Sequence, residues 1–304
     1  MRHLRVLNYL DEVARVGSIR AAAERLNVTA SAVNRRIMDL EEELGAALLE
    51  RRPRGVRLTA AGEIFIRHVR QQNAEIERVK SRIEDLKGLR RGTVRLACSQ
   101  AVAFDFLPRS IAAFQTRYPD VTFDVRVLDH ESALNELAGY RVDLALVFRP
   151  PFMATFQPLV KIEQRLAVLM ARDHPLTQSA NIRLRDCAAW PVALPERGFG
   201  GRQLLDEVCA RAGVELRVIA ESNSFELLRG LALRGGALSF QIEVGARFSD
   251  DAEVAARVID GRDMPRGELV LGQLRGRNLP VPSAVFVEHV GADLRALNSS
   301  ISAR

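Results

Sequence analysis

Apolar positions along this 304-residue chain change rhythm near residue 92. Before it they recur at helical spacing. After it they gather into short runs separated by polar stretches, as in strand–helix alternation. Leu4, Leu7, Leu10 and Val13 predict an opening helix ended by Val16-Gly17. Ser18 can cap a second helix whose inner positions, Ala21 to Ala23, are small enough for a close-packed neighbour. Leu26-Asn27-Val28 predicts a tight reversal, since Asn tolerates the left-handed conformation, and Thr29 or Ser31 caps a third helix. Val33, Ile37, Leu40 and Leu44, at spacings of four, three and four, form its buried stripe. The opposite face presents Ala30, Ser31, Asn34, Arg35 and Met38. Small, amide and guanidinium groups on a short exposed helix suit the base edges of a DNA major groove. A plain helical hairpin with a solvated face is the alternative.

Leu48 to Leu58 reads as two short extended arms around Pro53-Arg54-Gly55, a wing. Arg51, Arg52, Arg54 and Arg57 crowd it, where guanidinium groups can reach phosphates or a minor groove. Thr59 caps a further helix, along which Phe65, Val69, Gln72, Ile76, Val79, Ile83 and Leu86 alternate at four and three residues. That is a heptad seam, and a domain of sixty residues cannot bury it, so the same helix of a second subunit is the expected partner. Gly88 to Gly92 predicts a hinge. Beyond it, strands are expected at Thr93–Cys98, Val121–Leu128, Val142–Phe148, Leu166–Met170, Val192–Leu194, Arg217–Glu221, Ala237–Phe240 and Glu268–Leu274. Helices alternate with them: one ends at Tyr118, one begins at Ser132, and others run over Gln203–Ala212, Phe225–Leu233 and Ser283–Leu297. A mostly parallel α/β architecture follows, with ligands expected beyond the carboxyl ends of the strands.

Charge sharpens this picture. Residues 1–91 hold 19 Lys and Arg against 13 Asp and Glu, so the whole net charge of +6 lies there and residues 92–304 are neutral. A phosphate-binding module joined to a neutral module has that asymmetry. Apolar residues at 47% and charged residues at 27% are the balance of a soluble globular protein. No apolar run has the length of a membrane span and no signal-peptide core opens the chain, so a cytoplasmic protein without membrane partners is expected. Cys98, Cys187 and Cys209 are too few and too irregularly spaced for a metal site or a disulfide scaffold, and read as reduced thiols. Ser99, His130, His174 and the cysteines are the side chains an enzyme could use. No nucleophile elbow, metal-ligand cluster, phosphate loop or dinucleotide fingerprint accompanies them, so no catalytic residue, metal or cofactor is expected. A regulator that responds to thiol oxidation through Cys187 and Cys209, or to nothing, is a further alternative.

Several short motifs together carry a family likeness: Gly17-Ser18, Ala22-Ala23, Leu26-Asn27-Val28, Ser31-Ala32-Val33, Ile37, Leu40-Glu41, Leu44-Gly45, Arg51, Leu58-Thr59 and Ala61-Gly62. The chain resembles the LysR-type transcriptional regulators, and Asp143-Leu144-Ala145, Asp173-His174-Pro175-Leu176 and Gly235-Gly236-Ala237 extend the resemblance over its whole length. The likeness implies a winged helix-turn-helix at 1–64, a linker and dimerisation helix with hinge at 65–91, and a periplasmic-binding-protein-like effector domain at 92–304. That domain would consist of two α/β subdomains, 92–162 with 267–304 and 163–266, the chain crossing near Ile162 and Arg266. It implies a dimer or tetramer that binds promoter DNA, contacts RNA polymerase, and responds to a small effector, often a carboxylate, held between the subdomains. The reading face departs from the family: many members have Gln at the position of Ala30 and Ser at that of Asn34, so the usual operator bases do not carry over. Ser239-Phe240-Gln241, where members often have Pro, reshapes one wall of the cleft.

On this basis the DNA-facing set is Ser18, Arg20, Thr29, Ala30, Ser31, Asn34, Arg35, Arg52 and Arg54. The effector-facing set follows from loops at strand ends and helix starts: Ser99, Gln100 and Val102; Ser132; Phe148 and Arg149; Gly200, Gly201 and Arg202; and Asn223. Arg149 and Arg202 are the candidates to pair with a carboxylate.

Overall fold

The computed structural model describes residues 2–53, 55–86, 91–179, 181–246 and 253–302, with the backbone alone for 2–6 and 298–302. Arg54 and most of the expected hinge, 88–90, lie outside the described residues. Two compact units result, Met1–Lys80 and Ser81–Arg304.

In the first unit α1 (Arg2–Val16) ends at Gly17, whose φ of +68° is left-handed. Ser18 Oγ accepts the Ala21 N–H at 3.3 Å and caps α2 (Ile19–Arg25). Asn27 turns the chain at φ +53°, and Thr29 Oγ1 accepts the Ala32 N–H at 3.3 Å to cap α3 (Ala30–Leu44). The wing is an antiparallel hairpin of β1 (Leu49–Arg52) and β2 (Gly55–Leu58), followed by α4 (Ala60–Leu86), with Thr59 Oγ1 accepting the Gly62 N–H. Ala22 and Ala23 are buried among Leu10, Val13, Val33, Ile37, Leu48, Ile66 and Val69. Glu41 closes the arrangement: its Oε1 accepts the N–H groups of Leu48 and Leu49 at 2.7 and 2.9 Å, which holds the wing to α3. A Cβ at Gly62 would stand 2.1 Å from the Leu48 carbonyl oxygen, so α4 lies against the wing at backbone distance.

Two expectations shift here. Leu44 is 43% exposed because α3 stops at Gly45 before anything packs over its last turn. In the seam, Val69 and its neighbour Ile66 are buried, whereas Val79, Ile83 and Leu86 remain exposed within the chain.

The second unit runs, in order, through β3 (Gly92–Cys98), α5 (Gln100–Ala103), α6 (Phe106–Arg117), β4 (Val121–Val127), α7 (His130–Ala138), β5 (Leu144–Phe148), β6 (Phe156–Gln164) and β7 (Leu166–Ala171). It continues through α8 (Leu184–Cys187), β8 (Pro191–Pro195), α9 (Gly200–Ala212), β9 (Arg217–Ser222), α10 (Phe225–Arg234), β10 (Leu238–Ile242) and α11 (Glu243–Ala246). Then come β11 (Val254–Val258), β12 (Gly267–Leu274) and α12 (Val281–Ser302). Two five-stranded sheets form, ordered β4-β3-β5-β12-β6 and β11-β7-β10-β8-β9. The sheets are half antiparallel, not mostly parallel: the pairs β5/β12, β12/β6, β7/β10 and β11/β7 oppose one another. The segments that leave one sheet for the other cause this, since each must enter or return against the parallel strands.

The first sheet packs on Phe114, which meets Phe123 and Phe286 edge-on at 5.9 and 5.2 Å. Asp143, 1% exposed, accepts hydrogen bonds from Arg277, in the segment that follows β12, and from Ser283 Oγ in α12. His174 caps a short 3₁₀ turn, its Nδ1 accepting the Leu176 N–H at 3.2 Å, and its ring lies 4.4 Å from Trp190. Burial holds its pKa below the usual imidazole value, which suits a structural histidine. Phe114 is the residue to test. Phe114→Ala should lower the stability of the second unit by about 3–5 kcal/mol in urea unfolding, and a loss below about 1 kcal/mol would contradict this packing.

Candidate functional site

The exposed side of α3 carries groups suited to base edges. Ser31 Oγ donates to Thr29 Oγ1 at 3.2 Å, and Arg35 is exposed. Asn34 is half-buried: its Oδ1 accepts from Arg51 Nη2 at 2.9 Å and its Nδ2 donates to Met38 Sδ at 3.5 Å. Ala30, expected on this face, is half-buried against the core because its Cβ turns toward the first turn's packing. Arg20 is exposed, Ser18 spends its oxygen on the α2 cap, and Arg52 pairs with Glu50 at 3.1 Å. Four arginines crowd the wing in sequence; of these Arg51 meets α3, through Asn34, on the strand that Glu41 holds to that helix.

In the second unit α9 presses on the end of β5. A Cβ at Gly200 would lie 2.4 Å from the Phe148 carbonyl oxygen, and one at Gly198 3.4 Å from Asp129 Cβ. His130 Nδ1 donates to that same carbonyl at 3.3 Å, leaving Nε2 to accept from Gln203 Nε2 at 3.3 Å. Arg149, at a left-handed φ of +47°, donates to both carboxylate oxygens of Glu207 at 3.2 and 3.0 Å. This side is therefore closed by direct contact. On the other side a cavity of about 190 Å³ opens between α5 and α10, lined by Gln100, Ala103, Phe104, Phe225, Glu226, Arg229 and Gln241. The Arg229 guanidinium stands 5.5 Å from the Phe104 ring centre and 3.9 Å from Glu226.

Of the effector-facing set, Gln100 lines this cavity. Val102 and Phe148 are in the hydrophobic core, 0% and 3% exposed, because their side chains point inward from α5 and β5. Ser99 is buried and its N–H goes to the Leu146 carbonyl, while the Ser132 N–H goes to Asp129 Oδ1. Gly200, Gly201 and Arg202 form the first turn of α9 and not a loop. Arg202, 4% exposed, meets Asp206, the Pro195 carbonyl and Glu221 at 2.8, 2.7 and 2.7 Å, so each of its three nitrogens already has a protein partner. Asn223 is exposed, and Arg149 borders a separate, wider groove of about 910 Å³. That groove's Lys161 and Arg266 are paired with Glu268 and Glu163. Phe104 and Arg229 were not foreseen; their signal is helical adjacency to Gln100 and Phe225 across two helices distant in sequence. Gln241, expected to shape a wall, does line the cavity.

Burial pushes Cys98 and Cys187 up to about 12 and Cys209 to about 11, away from thiolate chemistry. Among the described residues no cluster of His, Cys, Asp and Glu could hold a metal ion, and no helix is long and apolar enough to cross a membrane.

Residues 4–63 match the lysR family of bacterial regulatory helix-turn-helix proteins, and residues 87–295 match the LysR substrate binding domain. The transcriptional dual regulator GltC of Bacillus subtilis (strain 168) is 31% identical over 235 residues, covering 76% of this chain and 78% of its own. The RuBisCO operon transcriptional regulator of Allochromatium vinosum is 29% identical over 291 residues, 94% and 95% of the two chains. The structure of full-length CbnR complexed with its target DNA shares the fold, with a TM-score of 0.64, 24% identity and coverage of 94% of this chain and 98% of that one. With a family match over more than half its length, the chain belongs to the LysR family: it is a DNA-binding transcriptional regulator with an effector-binding domain, not an enzyme.

Proposed function

We propose that Ser31, Asn34 and Arg35 on α3 read operator bases while Ser18, Arg20, Thr29, Arg52 and Arg54 hold the backbone. A small amphipathic carboxylate bound between α5 and α10 would modulate that binding. The observation that carries the ligand reading is the cavity itself: two phenylalanine rings, two amides and a guanidinium converge on about 190 Å³, room for a small organic acid. Phe104 and Phe225 would take its apolar body, Arg229 its carboxylate, and Gln100 and Gln241 its polar substituents. Glu226, at 3.9 Å from Arg229, is a long and exposed partner that a ligand carboxylate can displace.

In this reading 1–64 binds DNA, 65–91 joins two copies through the α4 seam, and 92–304 senses the ligand. Val79, Ile83 and Leu86, exposed in the single chain, support the seam as the dimer contact. The regulator works in the cytoplasm on promoter DNA and acts through RNA polymerase. The redox alternative loses ground because all three thiols are held protonated.

Three measurements follow. By fluorescence anisotropy, Asn34→Ala should weaken specific operator binding by about 1–3 kcal/mol, while Arg52→Ala should weaken binding to every sequence and reduce the salt slope by about 1. Unchanged isotherms for both would remove the DNA assignment. In calorimetric titration with small aromatic and aliphatic carboxylates, Arg229→Met should lose at least about ten-fold in affinity, and an equal affinity would remove Arg229 from the site. Iodoacetamide at pH 8 should label native Cys209 about 100-fold more slowly than the urea-unfolded chain, because raising the thiol from 9.0 to about 11 removes that share of thiolate.

A further inference from the structure

We propose that Arg51 is a specificity-determining residue: it sets Asn34 to read guanine in place of adenine. This rests on the reading that α3 presents Asn34 to base edges.

A free asparagine amide recognises adenine with both of its ends, the oxygen accepting from N6–H and the nitrogen donating to N7. Here the amide is already oriented. Arg51 Nη2 lies 2.9 Å from Asn34 Oδ1, and a guanidinium can only donate, so the oxygen must face Arg51 and the nitrogen must face away. The Asn34 Nδ2 group has two hydrogens. One points at Met38 Sδ, at 3.5 Å, and the other remains for a base. Oδ1 keeps a second lone pair, but an adenine amino group approaching it would also meet the N–H donors of Arg51, donor against donor.

The pair therefore presents donors: one amide N–H beside the remaining guanidinium N–H groups. In the major groove, guanine offers two adjacent acceptors, N7 and O6, whereas cytosine and adenine each place an amino donor there and thymine offers one acceptor beside a methyl group. Guanine is the base that matches two neighbouring donors. Arg51 is available for this because, among the described residues, its guanidinium bonds Asn34 and no carboxylate, unlike Arg52 with Glu50 and Arg36 with Asp39. Both side chains are on one compact unit: Asn34 is on α3, Arg51 is on β1 paired with Val56, and Glu41 of α3 holds the start of β1 through the Leu48 and Leu49 N–H groups.

The test is selection of full-length protein on a randomised DNA pool, followed by sequencing, for wild type, Asn34→Ala, Arg51→Met and Arg51→Lys. The position whose preference disappears in Asn34→Ala should be guanine in wild type, should move to adenine in Arg51→Met, and should stay guanine in Arg51→Lys. Replacing that guanine with 7-deazaguanine should weaken wild type about five-fold or more and leave Asn34→Ala unaffected. Adenine at that position in wild type, or guanine retained in Arg51→Met, would overturn the proposal. If Asn34→Ala changes no position at all, Asn34 does not read bases and the proposal falls with that reading; the base-preference profile separates this result from the others. Thermal melting of each variant separates loss of folding from a change of code, and because Arg51 is exposed, its variants should melt with wild type.

Discussion

Gln164 and Arg165 occupy the junction between β6 and β7, where the chain leaves one sheet of the effector-binding unit for the other. Gln164 is fully buried and its Oε1 accepts the Val244 N–H at 2.8 Å; Arg165 donates to both oxygens of Glu243 at 3.2 Å. Glu243 is 2% exposed and Arg165 is 27% exposed, so the pair joins the β6–β7 junction to α11 largely away from solvent, and removing one partner from such a pair costs several kcal/mol. The same short helix brings Gly245 against α5, where a Cβ would stand 2.5 Å from the Ala101 carbonyl oxygen. The junction, α11 and α5 are thus one contact. The cavity lies beside them, with Gln100 of α5 and Gln241 of β10 among its lining residues.

The parts of the chain that could be read in sequence are those whose determinants are local. Ser18, Asn27, Thr29 and Gly45 act within three or four residues of themselves, and each does in the structure what its residue type predicts. β6 was not foreseen: Phe156 to Gln164 alternates in burial, and its polar outward positions leave no continuous apolar run like those that mark β5 and β7. The ligand side was not legible for a different reason. Phe104 and Arg229 meet across 125 positions of sequence, and nothing local in either helix announces the other. Arg202 shows the converse error: its position at a helix start suggested an anion, yet the side chain is buried and each of its nitrogens meets a carbonyl or a carboxylate of the protein.

The arginines of this protein therefore divide by what answers them. Arg202 is buried, and removing its partners would leave a charge with no solvent, so it is architecture. Arg52 and Arg36 sit in exposed pairs with Glu50 and Asp39, which contribute little and can be exchanged for phosphate at small cost. An arginine in such a pair can turn from its carboxylate to a phosphate, and each phosphate it neutralises releases counterions condensed on the DNA. That supplies affinity without sequence. Arg51 belongs to neither class. Its partner is a neutral amide at 2.9 Å, so the charge is not cancelled and the amide is not free. A cation spent on orienting a reader gives up some phosphate attraction and gains control over which end of the amide meets the base. Two residues far apart in sequence then act as one recognition group, and the code of α3 cannot be assigned from α3 alone.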